Sequence, residues 1–267
     1  MLFDSDIRRV AHLMADAARE VILPYFRNSS LVAQNKQPAG FDPVTEADRA
    51  SEEKMRAILA SERPNDAIIG EEFGENVGTT GLTWVLDPID GTRGFVSGTP
   101  TWGVLIAVSD ENGPFYGLID QPYIGERFEG APDGALMQGP AGQLALATRA
   151  VASLSEATLF TTFPEIGTAQ ERAGFSAVAQ QAKLVRYGMD CYAYALVAAG
   201  HADLVIEAGL AAYDIQAPIA VIQAAGGLVT DWQGLPAHQG GQVVAAGDAK
   251  VHAQALDILK NSQASRL

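Results

Sequence analysis

Apolar residues recur at helical spacing from Ile7 through Val10, Met14, Ala17, Ala18 and Val21 to Ile22. Asp6, Arg8, Arg9, Asp16, Arg19 and Glu20 fall between them, which predicts an amphipathic first helix. The polar stretch from Asn28 to Pro43 breaks that period and reads as a loop or a loosely formed hairpin. Thr45 opens a second helix, with Ala47, Ala50, Met55, Ile58 and Leu59 on one face. The period then shortens to two. Strands are expected at Ala67–Gly70 and Thr83–Leu86, then an antiparallel meander over Gly103–Val108, Gly117–Ile119, Glu126–Glu129 and Ala135–Gln138.

Beyond residue 150 the pattern changes again. Strands at Leu159–Thr162 and Lys183–Arg186 flank a helix near Ala169–Gln181. A helix at Cys191–Ala199, a strand at Ala202–Ile206 and a helix at Ile215–Ala225 follow, the last stopped by Gly226-Gly227. Strands at Leu228–Thr230 and Val243–Ala245 and a helix at Val251–Lys260 close the chain. This alternation predicts an α+β lobe over residues 1–140 and an α/β lobe over 141–267, joined in the Gly/Pro-containing region Gly139–Arg149.

Composition narrows the function classes. The 267 residues carry 18 basic and 32 acidic side chains, a net charge of −14, which argues against binding nucleic acid or an anionic membrane. No stretch approaches the roughly 20 uncharged apolar residues of a membrane span, and charges interrupt any apolar leader, so a cytoplasmic protein is expected. The single cysteine, Cys191, allows no internal disulfide and reads as a buried structural thiol. His12, His201, His238 and His252 show no ligand spacing and read as surface or helix-end residues.

The chemistry lies in the carboxylates. In Trp84-Val-Leu-Asp-Pro-Ile-Asp-Gly-Thr92 an apolar strand runs into two aspartates. Pro88 is expected to end the sheet there, letting Asp87 and Asp90 face one space, while Gly91-Thr92 offers backbone N–H groups to a phosphate. The competing reading is a plain Asx turn. Of Glu71 and Glu72 only one can share a side with the aspartates, and Glu71, at the strand end, is the choice. Asp214, before an apolar helix, reads first as an N-cap, a position that also points a carboxylate into a cleft, and Asp48, three residues after Thr45, reads as half of a capping box. Several carboxylates gathered without Lys or Arg repel unless a cation joins them, and an oxygen-only ligand set suits Mg²⁺ or Mn²⁺.

Gly70-Glu-Glu72, the Asp87-Pro-Ile-Asp-Gly-Thr92 run and Tyr213-Asp-Ile-Gln-Ala217 followed by Ala225-Gly-Gly227 resemble the Mg²⁺-dependent phosphatases of the inositol monophosphatase type. The resemblance implies a layered αβαβα sandwich, a homodimer, and two or three Mg²⁺ ions per subunit, with Mn²⁺ able to substitute. It implies that Glu71, Asp87 and the Ile89 carbonyl hold one ion and that Asp87, Asp90 and Asp214 hold the next. Asp48 and Thr92, with Glu71, would orient the attacking water, and the Gly91 and Thr92 N–H groups would cradle phosphate. Arg186-Tyr-Gly-Met-Asp-Cys-Tyr-Ala-Tyr194 and Gly117–Phe128 look most like the bacterial histidinol-phosphatases of this type. Gly188, Asp190 and Glu207 would then bind a cationic amino-alcohol, with Arg93 as a further phosphate or substrate contact. Asp190 as a simple helix cap, and an inositol-1-phosphatase or broad sugar phosphatase, are the competing readings. A regulatory partner of RNA polymerase is the reading from a different class.

Overall fold

The computed structural model describes residues 4–29, 33–35 and 43–264. Along the chain run α1 (Ser5–Ile22), β1 (Gln34–Asn35), β2 (Pro43–Val44), α2 (Glu46–Glu62), β3 (Ala67–Gly70), β4 (Gly74–Asn76) and β5 (Thr83–Asp90). Then come α3 (Thr92–Ser97), β6 (Gly103–Asp110), β7 (Gly113–Gln121), β8 (Glu126–Ala131), β9 (Gly134–Gly139) and β10 (Gly142–Ala145). The remainder comprises β11 (Thr158–Thr161), α4 (Ala169–Ala179), β12 (Leu184–Tyr187), α5 (Asp190–Ala198), β13 (Leu204–Leu210), α6 (Ala212–Ala224), β14 (Leu228–Thr230), β15 (Gly241–Ala246) and α7 (Ala249–Ala264). Of the expected loop or hairpin over 28–43, residues 30–32 and 36–42 lie outside the described residues. What is described is a short antiparallel ladder of β1 with β2.

Two sheets organise the molecule. The first runs β10-β9-β8-β7-β6-β5-β3-β4, with β3 and β5 parallel and its other neighbouring pairs antiparallel. The second runs β12-β11-β13-β15-β14. Three apolar clusters fill the spaces between layers. One joins α1 and α2 to the outer face of the first sheet through Met14, Met55, Trp84 and Ile106. A second sets α5 and α6 between the sheets through Leu105, Ile119, Val197, Ile215 and Val243. The third packs α4 and α7 on the far face of the second sheet through Phe175, Leu204 and Leu259. The order is helix, sheet, helix, sheet, helix: the αβαβα sandwich. β10 carries the first sheet to Ala145, and α5 and α6 form a middle layer that both sheets share.

The middle layer sits close. A Cβ on Gly117 would meet the Ala217 carbonyl oxygen at 2.3 Å, and one on Gly130 would meet Val221 Cα at 2.4 Å, so only glycine lets α6 lie on β7 and β8. Beneath α1, charges fasten helix to sheet. Arg127 donates to Asp120 at 2.7 Å and to Asp16 at 2.7 Å, Arg19 reaches Asp120 at 2.8 Å, and Arg8 pairs with the buried Glu129. His12 belongs to this network, its Nε2 lying 2.6 Å from Glu129. His252, expected at the surface or a helix end, is buried with Nε2 2.8 Å from the Thr230 hydroxyl.

Candidate active site

Pro88 does not end the sheet. β5 continues to Asp90, and its pairing with β6 shifts from Asp87 opposite Leu105 to Asp90 opposite Gly103, so three steps on one strand match two on the other. That is a β-bulge, one of the few places a strand tolerates proline. The extra residue also reverses the alternation. Val85 faces the middle layer, and Asp87, two residues on, shares its side. In a regular strand Asp90 would point the opposite way; with one residue bulged, Ile89 enters the α1/α2 cluster and Asp90 joins Asp87.

Glu71 arrives by register. β3 pairs in parallel with β5, Gly70 opposite Leu86, so the next residue lies beside Asp87 on the Ile69 side. Its side chain hydrogen-bonds that of Asp87. Asp214 comes from the third position of α6. The helix begins at Ala212, three residues earlier than the pattern predicts, so Asp214 is inside the first turn rather than the N-cap, and it accepts the Ala211 N–H at 2.7 Å. One oxygen from each of Asp87, Asp90 and Asp214 lies within 4.8 Å of the others.

The site is expensive in charge. Burial first, then the carboxylates of Glu71, Asp90 and Asp214, push Asp87 well above the ordinary carboxylate range. Asp90 is raised likewise by burial, then by Asp214 and Asp190. Among the described residues lining this cleft of about 300 Å³, Arg93 alone is basic. Such a donor set, oxygen-only and uncompensated, fits a hard divalent cation.

Asp48 serves two purposes. Its Oδ2 accepts the Thr45 N–H at 2.8 Å and the Thr45 hydroxyl at 2.6 Å, completing the capping box, while Oδ1 lies 3.4 Å from the Thr92 hydroxyl. Burial raises it to about 6, against the opposing pull of the Thr45 bonds. The Thr92 hydroxyl also lies 3.0 Å from the Ile89 carbonyl. Thr92 starts α3, and Gly91 before it takes a φ of 79°, where a Cβ would meet Asp190 Cγ at 2.7 Å. Glycine is required there twice over.

Asp190 lines the same cleft but caps no helix. It opens α5 at a φ of 46° and accepts the Thr101 hydroxyl at 3.1 Å, while Asp90 accepts the Cys191 N–H at 2.7 Å and does the capping instead. Burial raises its carboxyl, opposed by the Thr101 bond and the nearby Arg93. Glu207, on β13, accepts the Thr162 N–H at 2.6 Å, the Thr162 hydroxyl at 2.9 Å and the Thr161 hydroxyl at 3.1 Å. Burial lifts it to about 7. Gly188 does not join them: it is exposed, with a φ of 74°, outside the cleft lining. Cys191 is buried at the cleft, its thiol pushed up by burial and then by Asp90, which keeps it protonated and unreactive.

Two residues escape the sequence reading. Glu52, buried in α2, accepts the Glu72 N–H at 2.7 Å and the Phe73 N–H at 3.2 Å and pairs with Arg56, thereby fixing the turn that carries Glu71. Its position on the Asp48, Met55, Leu59 stripe was the available signal. Glu72 itself is not among the residues lining the cleft, though its charge helps raise Asp48. Tyr194 lines the cleft with its hydroxyl buried and without a hydrogen-bond partner among the described residues.

The inositol monophosphatase family model matches residues 4–264. The chain belongs to that family. Its members are phosphatases that hydrolyse phosphate monoesters, and the present chain is such an enzyme. It is 40% identical over 97% of its length, and 77% of the relative's, to the bifunctional phosphatase IMPL2, chloroplastic, of Arabidopsis thaliana. It is 35% identical to the histidinol-phosphatase of Chlorobaculum parvum, over 83% of this chain and 84% of the other. Among solved structures, an inositol monophosphatase from Zymomonas mobilis superposes with a TM-score of 0.84 at 38% identity, covering 96% of this chain and 98% of that one. Family membership agrees with the sandwich and with the acidic cluster. Among the described residues no helix is long and apolar enough to cross a membrane.

Proposed function

We propose that the protein is a Mg²⁺-dependent phosphomonoesterase that hydrolyses L-histidinol phosphate to L-histidinol and phosphate. One observation carries the substrate choice. Glu207 is a buried carboxylate facing the cleft, held by threonine hydroxyls and an N–H, and no Lys or Arg among the described residues pairs with it. With Asp190, which lines the same cleft, it forms an anionic wall suited to an ammonium on the alcohol. A neutral polyol gains nothing from that charge. The Chlorobaculum relative's name points the same way.

In this reading Glu71, Asp87, Asp90, Asp214 and the Ile89 carbonyl hold the ions, with Mn²⁺ as a substitute. When bound, divalent cations acidify a water and neutralise charge on the phosphoryl oxygens. The chain's own groups then orient the reaction. The Thr92 hydroxyl has two acceptors beside it, Asp48 and the Ile89 carbonyl, so its proton is spoken for. Its lone pairs are left to accept from a water, aiming that water's own lone pair at phosphorus. Asp48, raised only to about 6, is ionised at pH 8 and remains an acceptor for Thr92. The Gly91 and Thr92 N–H groups and Arg93 receive the phosphate oxygens. A homodimer in the cytoplasm completes the reading.

Asp190→Asn and Glu207→Gln test it. Each is expected to lower kcat/KM for histidinol phosphate by about 10–100-fold, through loss of a charge-assisted contact, and to leave inositol 1-phosphate within threefold. Equal losses on both substrates would overturn the amino-alcohol assignment. The runner-up is an inositol-1-phosphatase or broad sugar phosphatase, favoured by the likeness to the Zymomonas enzyme.

A further inference from the structure

Phe163 stands outside the packed core. It belongs to none of the three apolar clusters, is 40% exposed, and lines a cleft otherwise rich in carboxylates. Yet its position is fixed. Thr162, its neighbour, gives both its N–H and its hydroxyl to Glu207, tying the segment to the buried acid. The Arg93 guanidinium sits over the ring, 4.9 Å from its centroid. Arg93 follows Gly91 and Thr92 in the chain, so the ring touches the residue next to the phosphate-binding N–H groups on one hand and adjoins the Thr162 that holds Glu207 on the other.

We propose that Phe163 is a specificity-determining residue, its ring a stacking platform for a flat nitrogen heterocycle on the alcohol part of the substrate. The inference rests on the amino-alcohol reading and extends it: Glu207 and Asp190 take the ammonium, and Phe163 takes the ring. The face of a phenyl ring is negative, and it attracts planar cations and the positive edges of other rings. The Arg93 guanidinium over the ring is one such planar cation. Imidazole, flat and partly protonated near neutral pH, matches that platform. An amino alcohol without a flat ring would use Glu207 and Asp190 alone.

Steady-state kinetics of the wild type, Phe163→Leu and Phe163→Trp on L-histidinol phosphate, O-phosphoethanolamine and inositol 1-phosphate, with Mg²⁺, test this. Phe163→Leu is expected to raise KM for histidinol phosphate about tenfold, with kcat within twofold and both esters that lack a flat heterocycle within twofold. Phe163→Trp is expected to restore the histidinol phosphate KM. Equal effects of Phe163→Leu on all three esters, or none on any, would overturn the stacking role while leaving the amino-alcohol reading intact. A wild type that prefers inositol 1-phosphate would overturn the reading beneath it. Melting curves for both variants, expected near that of the wild type because the ring is half outside the packing, separate a folding defect from lost stacking.

Discussion

Asp87 is buried against three other carboxylates, and its proton affinity is raised first by burial and then by that company. A residue so placed works for the cation it binds and against the fold that holds it. Asp87→Asn keeps the shape and removes one charge. In EDTA at pH 8 the variant is expected to melt above the wild type, by about 1–2 kcal/mol or roughly 3–6 °C. Its further rise on adding Mg²⁺ is expected to vanish, because the ion gains no anchor. Differential scanning calorimetry reads both; a variant less stable in EDTA yet still raised by Mg²⁺ would count against a metal role. The aspartates themselves were legible in sequence, since Asp87-Pro-Ile-Asp-Gly-Thr92 is dense and ordered. Glu52 was not. A glutamate on a helix is ordinarily solvated, and only the turn packed over α2 reveals that Glu52 holds the Glu72 and Phe73 N–H groups.

Elements, not residues, decide the direction of each carboxylate. The pattern predicted β5 and its end at the site, but with the chain leaving the sheet at Pro88. The bulge that turns Asp90 to the side of Asp87 is a matter of pairing with β6, which no local spacing encodes. α6 shows the same limit. Its apolar run was plain, whereas its start at Ala212, which brings Asp214 inside the first turn, depends on packing. That packing is set by glycine. Gly130→Ala would drive a methyl group into Val221 Cα and the Ala220 carbonyl, pushing α6 off the sheet. The variant is expected to lose about 2 kcal/mol of stability, the usual cost of overpacking. Asp214 would move with the helix and weaken Mg²⁺ affinity several-fold by isothermal titration calorimetry. A Gly130→Ala protein with unchanged melting and unchanged affinity would show that the close approach of α6 is not needed.

At the scale of the whole molecule, the acid-rich cleft sits where the shared middle layer meets the strand ends, and its charge becomes a property of the fold. Asp48 and Glu207 hold protons to about 6 and about 7 in the folded state, above the ordinary values of 3.8 and 4.5. Asp87 and Asp90 are raised in the same direction. Because the folded protein binds more protons than the unfolded chain between about pH 4 and 7, stability falls as pH rises through that window. In EDTA the melting temperature is expected to drop from pH 5 to 7, on the order of 1 kcal/mol per pH unit. Saturating Mg²⁺ is expected to flatten the profile by replacing the lost protons. A profile in EDTA that rises over that range would contradict the electrostatic account.

The central claim is a metal-dependent phosphatase whose anionic wall selects an amino-alcohol phosphate. It is tested most directly by measuring phosphate release from L-histidinol phosphate and inositol 1-phosphate side by side, with Mg²⁺ and with EDTA. The account predicts hydrolysis abolished by EDTA and a kcat/KM at least tenfold higher for histidinol phosphate. A preference for inositol 1-phosphate, or turnover that survives EDTA, would contradict it.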